Sequence, residues 1–270
     1  MRLQVRHVTT YDYDAPVGWG LMQLRLTPKA SPSQRVLSWE VTATGGRQEL
    51  AFEDHHRNRV DLVSLEPGAT RLVIEARGEV EVGDRAGVVG PHGGFAPLWL
   101  FERATPRTRA GSGCRRLLQS LPGGSDALGR LHALSAAVTE AVAWTEGAGD
   151  VRGGAEEALA AGRGVCQDQA HVFVACARAL GTPARYVSGY LLLDGGREAP
   201  ASHAWAEAWV PDLGWVGFDA ANRMCPDDRY VRVATGLDYA EAAPVSGTRQ
   251  RLGSGGAAER LTVSVAVAAQ

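Results

Sequence analysis

Apolar residues change their period after the first third of this chain, and that change constrains the fold more than any other feature. Through residue 82 they recur at every second position. Leu3 and Val5 alternate with Arg2, Gln4 and Arg6, and Met22, Leu24 and Leu26 alternate with Gln23 and Arg25. Leu37, Trp39 and Val41 share one face of "VLSWEV"; Leu72, Ile74 and Ala76 share one face of "RLVIEARGEVEV", continued by Val80 and Val82. A period of two places such side chains on one side of a strand, so this segment reads as antiparallel strands with one buried face. The clusters "TPKASPS", "TGGRQ" and "EPGAT" supply turns between them. An antiparallel β-sandwich-like module is expected.

Residues 83–113 are rich in Gly, Pro and Thr and read as a connection, in which "PLWLF" docks on one half or forms a short helix. Beyond it, Leu128, Leu131, Leu134, Val138 and Val142 recur in steps of three and four, the mark of an amphipathic helix, with Ser125 or Asp126 as its N-cap. "GGAEEALAAG" reads as a shorter helix closed by Gly162, and "CQDQAHVFVACARAL" as a buried one. Strands follow in "ARYVSGYLLL", "HAWAEAWV" and "GWVGFDAA", then a flexible "RLGSGG" and a last strand "LTVSVAVA". Helices followed by strands make this half, and the chain, α+β. Two domains are expected: residues 1–105, an N-terminal β domain with its connection, and residues 106–270.

Composition excludes several function classes. The formal net charge is −2, so no basic excess favours nucleic acid or an anionic membrane surface. Lys29 is the only lysine; there is no Gly-Lys pair for a phosphate-binding loop, and its proline-flanked loop is a poor setting for a Schiff base. No apolar run reaches membrane-span length, and "MRLQVRHVTT" lacks a signal-peptide core, so a cytoplasmic protein is expected. Cys114, Cys166, Cys176 and Cys225 are far apart with no CxxC pair, which argues against a disulfide framework or a zinc site.

Three residues stand out together. Cys166 follows "GRG" at the first turn of a helix, where unpaired N–H groups and the macrodipole favour a thiolate; Cys176, mid-helix, has no such help. His203 opens the strand "HAWAEAWV" and shares a face with Trp205, Glu207 and Trp209. Asp219 ends "GWVGFD". If the hairpin between them has an odd loop, 209 pairs with 215 and 205 with 219, and His203 and Asp219 meet diagonally on one face; an even loop would separate them. Each residue alone has a packing explanation. The set has the thiol–base–orienter composition of nucleophilic catalysis. Asp168 reads as a helix-start acid rather than a catalytic group.

The stretches "GRGVCQDQAHVFVACARALGTPARYVSGYL" and "SHAWAEAWVPDLGWVGFDAANR" resemble the bacterial transglutaminase-like superfamily, whose members are often described as cysteine proteases. "TYDYDAPV" and "EDHHRNRVDLVSL" look like that family's N-terminal β domain, and "YVRVATGLDYAEAAPVSG" like its C-terminal signature. One departure is Arg57, where the pattern has glycine before Asn58. The resemblance implies a papain-like catalytic fold, with Cys166 as nucleophile, His203 as base and Asp219 as orienter.

On that footing the chain is expected to attack peptide, isopeptide or glutamine-type amides and to hydrolyse the thioester, as a cysteine protease or amidase acting on a protein or peptide. No cofactor, metal, nucleic acid or membrane partner is called for. Transfer of the acyl group to an amine needs the same triad; hydrolysis is favoured because no calcium-loop signature is evident. A non-catalytic interaction scaffold is the alternative of another class. Gln167, Trp205, Tyr190 and Glu207 are candidate cleft-lining residues.

Overall fold

The computed structural model describes residues 1–123, 126–148, 153–193, 201–251 and 259–270. Six strands come first: β1 (Arg2–Tyr13), β2 (Val17–Leu24), β3 (Gln34–Thr44), β4 (Gly46–Glu53), β5 (Arg59–Leu65) and β6 (Arg71–Val82). The connection contributes β7 (Val88–Gly90) and a 3₁₀ turn, Leu98–Glu102. Then come α1 (Ser112–Gln119), α2 (Ala127–Ala141), β8 (Ala143–Trp144), α3 (Ala155–Ala161), β9 (Arg163–Gly164) and α4 (Cys166–Ala179). The rest is β10 (Ala184–Leu191), β11 (His203–Val210), β12 (Gly214–Phe218), β13 (Tyr230–Gly236), α5 (Tyr239–Ala242), β14 (Val245–Arg251) and β15 (Glu259–Ala269). Among the described residues no helix is long and apolar enough to cross a membrane.

The alternating residues of the first half do what their period implies. Two antiparallel sheets, ordered β15-β1-β6-β3 and β14-β2-β5-β4, enclose a core that includes Leu24, Leu26, Val63, Leu72 and Ile74. Residues 46–53 were not legible as a strand: in β4 Leu50 and Phe52 stay half-exposed at the sheet edge and bury no face. The segment β14 is equally polar in sequence and is held by pairing with β2.

A third antiparallel sheet, β13-β10-β11-β12-β7, carries the helices. Ala204, Ala206 and Ala208 form the helix-facing side of β11, and their small side chains let α4 pack close against the strand. Asp126 caps α2 by accepting from Gly129 N–H at 2.7 Å, while the alternative cap Ser125 and the link at 252–258 lie outside the described residues. The "PLWLF" segment does both things expected of it: it forms the 3₁₀ turn and docks Phe101 edge-on to Trp215, 5.1 Å between centroids.

Sheet membership cuts across the expected division at residue 105. Strands β14 and β15, in the C-terminal half of the sequence, complete the two N-terminal sheets, and β7, from the connection, extends the third sheet. The two parts also share one apolar cluster: Leu3, Val5, Val80 and Val267 meet Tyr186, Tyr190 and Val231. Polar clamps flank it. Lys29 Nζ donates to the His56 carbonyl (2.6 Å) and to Thr235 Oγ1 (2.8 Å), and Asn58 exchanges two hydrogen bonds with the Thr235 backbone. The departure at Arg57 falls at φ 61°, the left-handed region that glycine favours, so the arginine there bears backbone strain.

Candidate active site

The site is assembled by a helix start and a hairpin. Gly162 closes α3 in the left-handed region, φ 64°, and β9 pairs in parallel with β8. The chain then turns into α4 at Val165. Asp168 reaches back to accept the Val165 N–H at 2.8 Å. Gly164 makes room for that carboxylate: a Cβ there would lie 2.6 Å from Asp168 Oδ2. Asp168 thus serves the helix start, in keeping with its reading as a first-turn acid. Cys166, half-buried, is the first helical residue, and its N–H precedes the first intrahelical bonds, which run from Asp168 and Gln169 to the Val165 carbonyl. Its thiol donates to Gln167 Oε1 at 3.2 Å.

The hairpin register is the odd one. Trp209 faces Trp215 and Val210 faces Gly214, leaving a three-residue turn in which Asp212 takes φ 67°. His203 and Asp219 consequently meet: Nε2 of the ring lies 2.6 Å from Asp219 Oδ2. The neighbouring Cys166 thiol also favours the charged form of this imidazole. With Nε2 engaged by the carboxylate, Nδ1 is the nitrogen left for the thiol.

Asp219 is buried yet surrounded by donors. Its Oδ2 also accepts from Asn222 Nδ2 (2.7 Å) and Tyr230 OH (2.8 Å), and its Oδ1 from the N–H groups of Ala221 (3.0 Å) and Asn222 (3.3 Å). Burial opposes its charge, but the bonds from His203, Asn222 and Tyr230 hold its pKa below the usual aspartate value. For His203, burial opposes the imidazolium; the bond to Asp219 and the neighbouring Cys166 outweigh it and raise the ring to about 10. Asn222 and Tyr230 were not singled out in the sequence. Asn222 carries a local signal, three residues after an aspartate in a turn; Tyr230 comes from β13, with no local sign that it reaches Asp219.

The four candidate cleft residues separate. Gln167 stays at the thiol. Trp205 backs the site: it is buried, stacked against His203 with centroids 6.1 Å apart, and lies where a Cβ on Gly189 would meet its ring at 2.5 Å. Two expectations need correcting. Tyr190 is buried in the seam between the sheets, its hydroxyl 3.0 Å from His7 Nδ1, because β1 and β6 cover that end of β10. Glu207 is fully buried between Arg185 and Arg232, each 2.6 Å away, with the Arg185 guanidinium 3.8 Å above the Trp215 ring. Tyr190 holds the seam between the sheets, and Glu207 holds the two arginines. Among the described residues, His55, His56 and Glu241 bring metal-ligand types within 4.8 Å of one another, but His56 Nε2 is committed to Glu241 Oε2 at 2.7 Å, a bond that ties the sandwich turn to α5.

Comparisons with known proteins bear on the fold and the family. Residues 115–220 match the model of the transglutaminase-like superfamily, and residues 3–81 match that of the bacterial transglutaminase-like N-terminal region. An uncharacterized protein of Mycobacterium leprae is 27% identical over 278 residues, 91% of this chain and 92% of that one. A protein-glutamine gamma-glutamyltransferase of Pseudomonas aeruginosa is 34% identical over 106 residues, 33% of this chain and 15% of its own length. The crystal structure of a candidate cysteine protease from Cytophaga hutchinsonii has the same fold, with a TM-score of 0.78 over 100% of this chain and 91% of that one at 21% identity. The chain carries a transglutaminase-like core at residues 115–220, joined to a bacterial transglutaminase-like N-terminal region at residues 3–81.

Proposed function

We propose that the protein is a thiol acyl-transfer enzyme that hydrolyses amide bonds in a protein or peptide, with Cys166 as nucleophile, His203 as base and then acid, and Asp219 as orienter. The observation that carries this reading is one imidazole bonded at 2.6 Å to a buried carboxylate, with its charged form favoured by a neighbouring thiol at a helix start. His203 takes the Cys166 proton through Nδ1, and Asp219 stabilises the imidazolium that results. The sulfur attacks the amide carbonyl, and the Cys166 N–H, free of any intrahelical acceptor, faces the developing oxyanion. Loss of one such donor typically costs about 10²–10³ in rate. The tetrahedral species collapses to a thioester as His203 protonates the leaving amine. Water then enters with His203 as base, and a carboxylate leaves. No step needs a cofactor. A reducing compartment such as the cytoplasm suits a chain whose four cysteines are all free.

Transfer to an amine in place of water is the second reading, favoured by the likeness to the Pseudomonas aeruginosa gamma-glutamyltransferase over a third of this chain. The test is a glutamine-containing peptide incubated with the protein and a labelled primary amine, with Cys166→Ala as control. Hydrolysed peptide exceeding amine adduct, and neither formed by Cys166→Ala, is expected. Adduct outrunning hydrolysis overturns the hydrolytic reading. A protein whose Cys166 reacts no differently after His203→Ala is a scaffold rather than an enzyme.

A further inference from the structure

Tyr186 holds a buried hydroxyl with no hydrogen-bond partner among the described residues. Phenylalanine would fill the same space without that cost, so an unpaired buried hydroxyl calls for an explanation. Tyr186 lies on β10 opposite Ala206, and its side chain sits in a cluster with Ala170 and Ala204, against which Cys166 packs. Its ring is 5.0 Å from that of His171 and 6.0 Å from that of Tyr239, centroid to centroid. The phenol therefore sits beneath the first turns of α4, on the core side of the thiol.

The ionisable groups that face it are Cys166, Asp168 and His171 from α4, and Asp238 and Tyr239 from the segment after β13. Most have duties of their own. Asp168 holds the Val165 N–H, Asp238 caps α5 through Ala240 N–H, and His171 Nε2 accepts the Tyr239 N–H. Burial keeps the His171 ring neutral, lowering its pKa to about 4. Cys166 packs against the cluster that holds the phenol, and a thiolate there would further favour the protonated phenol. Among these groups it is Cys166 that changes charge during the proposed reaction.

We infer that Tyr186 is a positioning residue for the nucleophile: once Cys166 has given its proton to His203, the Tyr186 hydroxyl donates a hydrogen bond to the sulfur anion from the core side. The inference rests on the reading of Cys166 as an ionising nucleophile. In the neutral state the thiol donates to Gln167 Oε1, and the phenol has no acceptor among the described residues. On this proposal the ionised sulfur turns from Gln167 toward the cluster that holds Tyr186. One proton moves, from Sγ to the imidazole; the electron pair stays on sulfur, and no covalent bond changes at Tyr186. Burial, followed by the neighbouring negative charges, keeps the phenol protonated well above its ordinary range, so it remains a donor throughout the working pH range.

The experiment is alkylation of Cys166 by iodoacetamide, followed on the Cys166 peptide by mass spectrometry at pH 6 and pH 9, for the parent, Tyr186→Phe and His203→Ala, with thermal unfolding of each. In Tyr186→Phe the ratio of the pH 6 rate to the pH 9 rate falls about tenfold, while Tm holds or rises because an unpaired hydroxyl has been removed. A ratio equal to the parent's, with His203→Ala lowering it, overturns the role of Tyr186 and leaves the nucleophile reading standing. A clear drop in Tm for Tyr186→Phe also overturns it, since the hydroxyl would then have a structural partner. If His203→Ala leaves the ratio unchanged, both readings fall.

Discussion

Asp219→Asn removes one charge from the site and keeps the side-chain shape. The carboxylate accepts five hydrogen bonds, and every partner is a donor: His203, Asn222 and Tyr230 on Oδ2, and the N–H groups of Ala221 and Asn222 on Oδ1. An asparagine must aim its own N–H₂ at one set or the other. The less costly orientation keeps oxygen toward His203 and sets the amide against two backbone N–H groups. The electrostatic loss follows from His203, which is raised from 6.5 to about 10 against the opposing effect of burial. That lift is worth about 5 kcal/mol in favour of the imidazolium, shared between Asp219 and Cys166. Asp219 is the first favourable contributor, so the variant loses on the order of a few kcal/mol. Amide turnover, and Cys166 alkylation at pH 6, should therefore fall by about 10²–10³-fold. The sign with pH is also set. A group raised from 6.5 to about 10 contributes stability that is complete below 6.5 and lost as pH rises through 10, so in the variant this loss begins at lower pH. Circular dichroism establishes that the variant is folded. Alkylation and turnover within threefold of the parent in a folded variant would refute the reasoning.

Glu207→Gln leaves Arg185 and Arg232 buried without their carboxylate, and breaking such a set costs about 3–5 kcal/mol, roughly a 10 °C loss in Tm. Burial opposes the Glu207 charge, but the two arginines hold its pKa at about 2; its contribution is present above 4.5 and fades as pH falls toward 2, so parent and variant should converge in acid unfolding. A loss under about 1 kcal/mol at pH 7 would count against this account. Gly164→Ala places a Cβ 2.6 Å from Asp168 Oδ2 and displaces the carboxylate from the Val165 N–H. Thermal unfolding should show a loss of about 1–2 kcal/mol, with slower alkylation of Cys166; an unchanged Tm would mean that the helix start does not depend on this contact.

Much of the site was readable because its chemistry sits at element boundaries. "GRGVCQD" marks a helix start by its glycines and first-turn acid, and "VPDLG" marks a hairpin whose loop parity decides whether His203 can meet Asp219. Those are short-range properties, set by backbone conformation and by the alternation of a pleated strand. The same alternation in Leu3, Val5, Leu72 and Ile74 specified a buried face for the first sheets. It did not mark β4 or β14, which hold their places through pairing with β5 and β2 rather than through an apolar face of their own.

What the sequence by itself determined, then, is which side chains face inward and where a thiol, an imidazole and a carboxylate stand relative to their own elements. Which distant segment covers each face was decided only in three dimensions. Tyr190 and Glu207 look like their cleft-facing neighbours in the sequence, yet β1 and β6 bury the first, and Arg185 and Arg232 enclose the second. Tyr230 reaches Asp219, and β15 returns to β1, across separations that leave no trace in local periodicity. The physical reason is that periodicity records a residue's exposure to the core, whereas the identity of its partner depends on how sheets and helices pack after the chain has closed on itself.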